Sequence, residues 1–450
     1  MMKNNSRGEL FGLHPLQILS LGYLFFTLLF TGLLMLPAVT VSRQPLSFAD
    51  ALFLSSSGIS TTGLATVDPG SHLTLLGQLV LLLDFQIGGI GYMVFFVMLW
   101  SLMRRRLSIR EKMVGEESMA GVAKGGTRPF FFQVLFFTLF FEVIGGVLLG
   151  LCFLDPASPG RSFYSGLFHS ISAFCTAGFS LYSDSLTRYR YDVPVNLIIN
   201  LLSLAGGIGF IVMSDFIRLV RNRRSEGFWR KLSLHSRLSL IITAVMVIGA
   251  TALIMFAKGW QEHSWSRRIL LASFQVISAS TTDGYNTIDI GAMPPVTLAV
   301  IIVLMFVGAS PGSTGGGVKT TTLGIVLLAT WAQLKGQSEC NVFGRRIASG
   351  DIAKSFSIIF IALMIFFLVS FILCLTEKGS LLQICFETMS ALGNTGLSMG
   401  ITSGLSAFAK ILLSLTMFIG RVGPLTIGMA FLEVKQPVKI RYAAEEVYVG

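Results

Sequence analysis

The sequence predicts an all-α integral membrane protein made of four fused repeats, each with a membrane span, a short re-entrant helix and a second membrane span. Three observations predict this fold. Hydrophobic residues make up 53% of the 450 residues, whereas charged residues make up only 13%, about half the share found in soluble proteins. Eight apolar runs reach the ~20 residues that a membrane-spanning helix needs. Four shorter segments between these runs end in the same kind of phrase.

The eight predicted spans form four pairs, and one short segment lies between the members of each pair. The spans fall at roughly 16–37, 75–103, 130–154, 193–220, 235–257, 295–334, 354–375 and 406–432. The short segments are Phe48–Ser60, Ser162–Cys175, Arg267–Ser280 and Ser380–Gly393. They are amphipathic and too short to cross a membrane, so each is expected to dip in and return. The predicted repeats are residues 1–128, 129–232, 233–350 and 351–450, the last with a cytoplasmic C-terminal tail.

Glycines at matched positions support the internal repeat. The four phrases are SSSGISTTGLATVD, SISAFCTAGFSLYSD, ISASTTDGYNTID and ETMSALGNTGLSMG, with Gly63, Gly178, Gly284 and Gly396 at the matched position. A second landmark begins 24 to 28 residues later: GGIG at Gly88, GGIG at Gly206, GASPG at Gly308 and GRVG at Gly420. Two landmarks at matched offsets in four units indicate a repeat rather than glycines that serve only helix packing.

The net charge of +11 reflects membrane orientation rather than a nucleic-acid partner. The N-terminus, the segments 104–128, 218–237 and 335–354, and the C-terminus hold 23 of the 34 Lys and Arg residues. Basic residues concentrate on the cytoplasmic side of membrane proteins. Both termini are therefore predicted to be cytoplasmic, and the short helices to enter from the outside. The basic loops can also bind anionic lipids or a cytoplasmic protein partner.

The four phrases have the composition of a cation site. Backbone that is not helical occurs at membrane depth only where it is buried in protein or lines a cavity. Four such segments around one axis would present a ring of carbonyl oxygens that replaces the hydration shell of a cation. Glycine lets successive carbonyls point the same way, and the short helices would aim the negative ends of their dipoles at the ion.

Several motifs carry a resemblance to a known family. STTGL, FHSISAFCTAGFSLY, STTDGYNT, GASPGSTGGG and GRVGPLT are similar to motifs of the Trk/Ktr/HKT superfamily of K⁺ transporters, and the resemblance covers nearly the whole chain. The direct start in the first repeat, without two extra leading spans, resembles the membrane subunit of the Ktr branch. The resemblance implies four membrane-pore-membrane repeats around one central pore, as in K⁺ channels, with K⁺ bound at filter carbonyls.

The resemblance places the K⁺ selectivity filter in four segments, which we term the glycine segments. They are Thr61-Thr62-Gly63-Leu64, Thr176-Ala177-Gly178-Phe179, Thr282-Asp283-Gly284-Tyr285 and Asn394-Thr395-Gly396-Leu397. In the HKT branch a Ser at the Gly63 position accompanies Na⁺ preference, so Gly63 favours K⁺. Asn394 stands where a Thr is commoner, and Asp283 where a small residue is usual. The Asp283 carboxylate would either attract cations at the outer mouth or pair behind the filter.

The third repeat interrupts its second span with GASPGSTGGGVKTTT, Gly308 to Thr322, whereas the other repeats are expected to keep an almost continuous span. One Pro or Gly would explain a kink, but about ten residues here cannot be helical. The phosphate-loop pattern fails because Val318 separates Gly317 from Lys319. In the resembled family this segment is an intramembrane loop that blocks the pore below the filter. The gate residues implied are Gly308, Pro311, Gly312, Ser313, Thr314, Gly315, Gly316, Gly317 and Lys319, with Arg421 across the pore.

Arg421 lies inside the last predicted span, where a charge is costly and indicates a functional role. In the resembled family this Arg sits below the filter beside the permeation path, where it would raise the barrier for K⁺ and contact the gate. The alternative is a structural ion pair with an acid such as Asp84 or Glu142. Those two acids are otherwise expected to make polar contacts between helices.

The leading functional hypothesis is passive, gated K⁺ uptake driven by the membrane potential. The alternative is a coupled symporter that moves K⁺ with Na⁺ or H⁺, although such carriers usually use inverted repeats and these repeats are parallel. An enzyme is not expected, since the five Cys and five His lack ligand spacing and no nucleophile–base pair is found. The resemblance implies a homodimer in the bacterial plasma membrane, often activated by Na⁺, without a covalently bound cofactor. It also implies a cytoplasmic RCK-type nucleotide-binding ring as a partner.

Overall fold

The computed structural model of the chain describes residues 15–91, 127–221, 231–262, 264–423 and 425. Both termini, most of the basic loop 104–128 and the C-terminal tail lie outside the described residues. The cytoplasmic positions predicted for these segments therefore stay predictions, as do the boundaries of the four repeats.

The described helices follow the predicted order of long helix, short helix and second helix four times. The long first helices are α1 (Pro15–Leu34), α5 (Thr127–Cys152), α9 (Leu234–Phe256) and α13 (Ser349–Thr376). The short helices are α2 (Phe48–Ile59), α6 (Pro159–Phe174), α10 (Trp265–Thr281) and α14 (Leu381–Gly393). The second helices are α4 (Leu75–Ile90), α7 (Val193–Ile208), α11 (Pro295–Val307) and α15 (Ala407–Val422). The others are α3 (Pro69–His72), α8 (Phe210–Arg221) and α12 (Thr320–Leu334), with a hairpin of β1 (Asn341–Val342) and β2 (Arg345–Arg346).

The short helices begin at capping residues that the sequence supplies. Ser47 caps α2 by accepting from the Asp50 N–H, and Ser380 forms a capping box with Gln383 at α14. Pro159 is the first residue of α6, where the missing N–H costs no helix hydrogen bond. The observed bounds lie close to the four short segments predicted from the sequence.

Each short helix packs against the first and the second helix of its own repeat. It also packs against the second helix of the preceding repeat. The contacts between repeats join α6 to α4, α10 to α7, α14 to α11 and α2 to α15. Because the last of these contacts joins the fourth repeat back to the first, the repeats form a closed ring. The C-terminal ends of the four short helices meet at its centre.

The chain is a multi-pass membrane protein. Among the described residues α5, α9 and α13 are long and apolar enough to cross a membrane, and α7 with α8 forms a fourth, bent candidate. Large apolar side chains on the outside of the helices, such as Phe136, Ile248 and Leu375, are more than half exposed. These surfaces suit contact with lipid tails rather than water.

One second helix outside the third repeat also breaks within the described residues. The expectation of an almost continuous span is wrong for repeat 2, because α7 and α8 are bent by 92° at Gly209. Gly209 at this break has a φ of +99°, and Gly91 and Gly423, the glycines that end α4 and α15, have φ values of +90° and +97°. Glycine adopts these angles without the steric penalty of a side chain, which explains the last glycine of the landmarks in repeats 1, 2 and 4.

In the third repeat the break is larger. Helix α11 has 13 residues, whereas α4, α7 and α15 each have 16. The loop runs from Gly308 to Lys319 and is termed the repeat-3 loop; Thr320–Thr322, predicted as part of it, form the first turn of α12. Lys319 has φ +90° and ψ 135°, close to the values of Gly209, so α12 begins with the backbone geometry of the break in repeat 2.

Candidate functional site

The four glycine segments adopt the same backbone conformation at the ends of α2, α6, α10 and α14. Their first residues, Thr61, Thr176, Thr282 and Asn394, are left-handed, with φ between +51° and +59°. The N–H of the second residue donates to a carbonyl five residues back in every repeat, the accepting residues being Ser57, Ser172, Ser278 and Ser390. These bonds form Schellman caps. A left-handed conformation is unfavourable for threonine, so its recurrence in three repeats indicates strain held by the surrounding structure.

The glycines of the segments stand in a closed ring. Each has a positive φ, and its Cα faces the carbonyl oxygen of the second residue of the glycine segment in the next repeat. A Cβ atom built on Gly63, Gly178, Gly284 or Gly396 would lie 2.4, 2.2, 2.3 or 2.1 Å from the oxygen of Ala177, Asp283, Thr395 or Thr62 respectively. Only glycine allows this approach, and the contacts run from each repeat to the next and back to the first. The ring brings together backbone oxygens from all four repeats.

Side chains of the segments point into the protein around the ring. Asp283 is fully buried, and its Oδ2 accepts a hydrogen bond from the Ser203 hydroxyl of α7. The structure thus places this carboxylate behind the ring. The residues after the glycines are also buried: Leu64, Phe179, Tyr285 and Leu397. The Tyr285 hydroxyl donates to the Phe179 carbonyl at 2.7 Å and links two adjacent repeats.

A polar residue nine positions before the glycine supports three of the segments and was missed in the sequence. His169 Nε2 lies 3.0 Å from the Ser180 hydroxyl, and Gln275 Nε2 donates to Thr287 Oγ1 at 2.9 Å. Glu387 accepts from the Ser398 hydroxyl and from the Met399 N–H. The matched position in repeat 1 is Leu54, which packs in an apolar core. The sequence signal available was a polar residue nine positions before the glycine in three repeats. A polar side chain buried at such a position needs a hydrogen-bond partner, because its burial without one is unfavourable.

The connections that follow the glycine segments are tied together by Asp68. Its carboxylate accepts from the hydroxyls of Ser71 and Ser183, each at 2.7 Å, and from the Gly70 N–H at 2.9 Å. Burial raises the pKa of Asp68, but these hydrogen bonds outweigh it and hold the pKa below its usual value. The stabilisation is therefore present at neutral pH and lost as the pH falls through the folded-state pKa.

The repeat-3 loop lies directly against the first residues of the glycine segments. Thr61 Oγ1 donates to the Thr314 carbonyl at 3.1 Å, and Thr176 Oγ1 lies 3.2 Å from Thr314 Oγ1. Thr282 Oγ1 accepts from the Gly316 N–H at 2.9 Å. A Cβ atom on Gly316 would lie 2.6 Å from Asn394 Cβ, so the loop contacts all four repeats. It covers one end of the ring.

Backbone hydrogen bonds fix the base of the repeat-3 loop. Val318 and Lys319 donate to the carbonyls of Phe306 and Val307 at 3.1 and 2.8 Å, so the two ends of the loop are adjacent. Ser310 and Thr314 donate through their N–H groups to the Gly207 and Gly206 carbonyls. Lys319 Nζ folds back onto the Gly315 and Gly316 carbonyls at 2.7 and 3.0 Å. The loop is therefore compact, and the Lys319 ammonium donates its hydrogen bonds to carbonyls of the loop itself.

The other predicted gate residues complete this arrangement. Pro311, Gly312 and Ser313 form the half-buried side of the loop, and the Gly312 carbonyl accepts from the Phe210 N–H at 2.8 Å. A Cβ atom on Gly308 would lie 2.4 Å from the Gly316 carbonyl oxygen, and one on Gly317 2.7 Å from the Gly308 Cα. These close backbone contacts explain the density of glycine in the loop.

Arg421 connects the repeat-3 loop to the first repeat. Its guanidinium donates to the Thr314 carbonyl through Nη1 and to the Gly88 carbonyl through Nη2. The structure therefore places Arg421 beside the loop. Of the two candidate partner acids, Glu142 accepts instead from Gln86 Nε2 at 2.9 Å, which joins α5 to α4. Asp84 packs against Gly58, and neither of its oxygens has a hydrogen-bond partner among the described residues.

Within the described residues, no group of three or more His, Cys, Asp or Glu side chains could hold a metal ion. The ring brings the backbone carbonyls of Thr62, Ala177, Asp283 and Thr395 close together. Such oxygens suit a weakly hydrated monovalent cation, which exchanges water for carbonyls at modest cost.

Comparison with known proteins places the chain in a family. The family model of the TrkH cation transport proteins matches residues 22–439. The Ktr system potassium uptake protein B of Bacillus subtilis is 36% identical over 440 residues, which cover 97% of each chain. The potassium/sodium uptake protein NtpJ of Enterococcus hirae is 30% identical over 449 residues, 97% of this chain and 98% of that one.

A solved structure has the same fold. The crystal structure of the potassium transporter TrkH from Vibrio parahaemolyticus matches with a TM-score of 0.74 at 18% identity, and the match covers 96% of this chain and 87% of that one. This agrees with the predicted all-α membrane fold. With the family model spanning nearly the whole chain, the chain belongs to the TrkH family of cation transport proteins and is a transport protein rather than an enzyme.

Proposed function

We propose that the chain is the ion-translocating membrane subunit of a K⁺ uptake system and passes K⁺ through a single central pore. The closed ring of the four glycine segments carries the proposal. Every repeat contributes the same cap, the same left-handed first residue and the same glycine contact, so the carbonyls approach fourfold symmetry. Such a ring can replace the hydration shell of a cation in the bilayer.

K⁺ is the proposed permeating ion. All four ring positions are glycine, including Gly63, whose replacement by Ser accompanies Na⁺ preference in the resembled HKT branch. The Bacillus relative is named for potassium uptake, and the Enterococcus relative for potassium and sodium. Na⁺ would then act as an activator or a minor substrate. The driving force is the membrane potential, which supplies about 2.3 kcal/mol per charge for each 100 mV.

Flux into liposomes tests this function. Liposomes that hold the purified chain should take up Rb⁺, a K⁺ analogue, when an inside-negative potential is imposed without any Na⁺ or H⁺ gradient. Protein-free liposomes are the control for leakage. Uptake that requires an imposed Na⁺ or H⁺ gradient would instead support the coupled symporter.

We also propose that the repeat-3 loop is the gate. It covers one end of the ring, contacts all four repeats and is held by Arg421. Its five glycines from Gly308 to Gly317 give the backbone the freedom to leave this position. Such a gate lies below the filter and opens by a change in the backbone of the loop alone. It therefore needs no large rearrangement of the helices.

Shortening the loop should raise the flux. Deleting Pro311–Gly317 leaves Phe306 and Val307 paired with Val318 and Lys319, so α11 and α12 stay in position. We expect Rb⁺ uptake to increase about tenfold or more, as the loss of about 1.4 kcal/mol of gate stabilisation suffices for that change. Ser313→Ala is the matched control, since this half-buried hydroxyl bonds only within the loop. Unchanged uptake by a folded deletion variant would rule out the gate.

The partners proposed are a second copy of this chain and a cytoplasmic RCK-type nucleotide-binding ring, with both termini on the cytoplasmic side of a bacterial plasma membrane. Two observations support them. The Bacillus relative is by its name one component of a system, and Lys and Arg gather in the segments assigned to the cytoplasm. Adding such a ring with ATP or ADP to the liposome assay should change the flux if the assignment is right.

A further inference from the structure

The carbonyls of the residues that follow the four ring glycines differ in their hydrogen bonding. In repeat 3 the Ser278 hydroxyl donates to the Tyr285 carbonyl at 2.6 Å. In repeat 2 the Phe179 carbonyl accepts from the Tyr285 hydroxyl at 2.7 Å. In repeats 1 and 4 the carbonyls of Leu64 and Leu397 accept no hydrogen bond within the part of the chain that the structure describes. Four equivalent positions thus carry two bonded carbonyls and two free ones.

Both donors lie in the protein that surrounds the ring. Ser278 belongs to α10 and is 1% exposed, whereas Tyr285 is fully buried in an apolar cluster with Phe174 and Phe274. Ser278 also accepts the Asp283 N–H through its own carbonyl at 2.8 Å, so it holds the glycine segment on both sides of the glycine. A carbonyl lies roughly along the line to its donor. The two bonded carbonyls are therefore directed toward the protein.

The repeat itself does not impose this difference. A serine stands six positions before the glycine in every repeat, at Ser57, Ser172, Ser278 and Ser390. The hydroxyls of Ser57 and Ser390 have no hydrogen-bond partner among the described residues. In repeat 2 the donor is Tyr285 of the next repeat and not the matched serine. Tyr285 supplies a hydroxyl that the residues at the matched positions, two Leu and one Phe, do not have.

From these contacts, we propose that Ser278 and Tyr285 set the ion affinity and the ion preference of the pore by holding two carbonyls away from the axis. The layer of the ring on the side opposite the repeat-3 loop then offers two backbone oxygens to the ion, those of Leu64 and Leu397. The inference rests on the proposed pore and names residues that determine its specificity. Both are positioning residues, because their hydroxyls act on the ion only through backbone carbonyls.

These hydrogen bonds compete with the ion. A buried carbonyl without a donor gains a partner when a cation binds, whereas a bonded carbonyl must first lose its hydroxyl. In a carbonyl filter, the number of oxygens around the ion contributes to the discrimination between K⁺ and the smaller Na⁺. Loss of either donor should therefore free a third oxygen, tighten the binding of a large monovalent cation and raise the preference for it over Na⁺.

Tyr285→Phe and Ser278→Ala test the inference, since each removes one hydroxyl and frees a different carbonyl. The first measurement is the dependence of uptake into liposomes on the concentration of Rb⁺ or Na⁺. The second is the Rb⁺ concentration that gives half of the maximal rise in the unfolding temperature of the purified chain, which reports binding without transport. Because the two variants are independent, either one that folds is a test.

Each variant has a matched control. Tyr164→Phe also removes a tyrosine hydroxyl that joins two adjacent repeats, because Tyr164 donates to Gln78 Oε1 at 3.0 Å. Ser280→Ala removes another buried hydroxyl of α10, which donates to the Ile277 carbonyl of its own helix at 3.2 Å. Neither hydroxyl donates to a carbonyl that follows a ring glycine.

Either variant should lower the half-saturating Rb⁺ concentration about fivefold in both measurements, the effect of one hydrogen bond that no longer competes with the ion. The ratio of Rb⁺ to Na⁺ uptake should rise, and the two controls should resemble the original chain. A merely structural role would lower the unfolding temperature or the maximal rate of uptake and leave the half-saturating concentration unchanged.

Two outcomes would overturn the inference alone. An unchanged or higher half-saturating Rb⁺ concentration in the folded variants would mean that the freed carbonyls do not reach the ion. The same decrease in Tyr164→Phe would mean that the loss of any bond between repeats is sufficient. If instead the original chain takes up no Rb⁺ in liposomes, the proposed pore fails and the inference fails with it.

Discussion

Replacing Gly396 with alanine is expected to lower K⁺ uptake by more than about tenfold, since 1.4 kcal/mol at an ion site is already a factor of ten. Two costs add at this position. Gly396 has a φ of +87°, where a residue with a side chain bears about 1–3 kcal/mol of strain. The new Cβ would also lie 2.1 Å from the Thr62 carbonyl oxygen and 3.0 Å from the Gly63 Cα, both backbone atoms that cannot rotate away. The junction between the fourth and first repeats would have to open.

The measurement is Rb⁺ and Na⁺ uptake in liposomes, with thermal unfolding recorded to confirm that the variant is folded. Gly404→Ala is the matched control, because a Cβ atom there meets nothing within 4 Å and the residue lies in the connection after the same segment. A folded Gly396→Ala variant with the flux and selectivity of the original chain would show that the ring is not the conduction path.

The repeat architecture could be predicted because it depends on local signals. Apolar length identifies a span and a shorter half-polar segment identifies a re-entrant helix, so the bounds of α2 and α14 follow the predictions within one residue. The bend at Gly209 could not be predicted, because a glycine in an apolar run is compatible with both a continuous helix and a break. The landmark GGIG identified a matched position in the repeats, but it did not predict a break there.

The candidate site likewise has parts that the sequence predicts and parts that only the fold shows. The four glycines were found from their matched offsets, but the order of the ring is a property of packing between repeats that no offset encodes. The two alternatives for Asp283 also needed the fold, since Ser203 is 80 residues away in the sequence. His169, Gln275 and Glu387 could have been found from the sequence by aligning the repeats, although Leu54 at the matched position weakens that pattern.

Replacing Arg421 with alanine is expected to raise K⁺ flux by about tenfold or more, because a hydrogen bond from a charged donor contributes about 1.5–3 kcal/mol. The guanidinium holds the Thr314 carbonyl of the loop and the Gly88 carbonyl of the first repeat at once. Its removal should destabilise the closed loop. It also removes a positive charge next to the proposed path, where that charge would repel a permeating cation more strongly in a low-dielectric site than in water.

Two further variants separate these effects. Arg421→Lys keeps the charge but cannot reach two carbonyls with a planar fork, so an intermediate flux is expected if both the bonds and the charge matter. Lys410→Gln is the matched control on the same helix, since Lys410 pairs with Asp50 at 2.7 Å on α2, away from the loop. Combined with the loop deletion, Arg421→Ala should add only the part due to charge. If Arg421→Ala leaves the flux unchanged in the intact chain, Arg421 neither holds the gate nor opposes the ion, and its two hydrogen bonds serve only to join repeats.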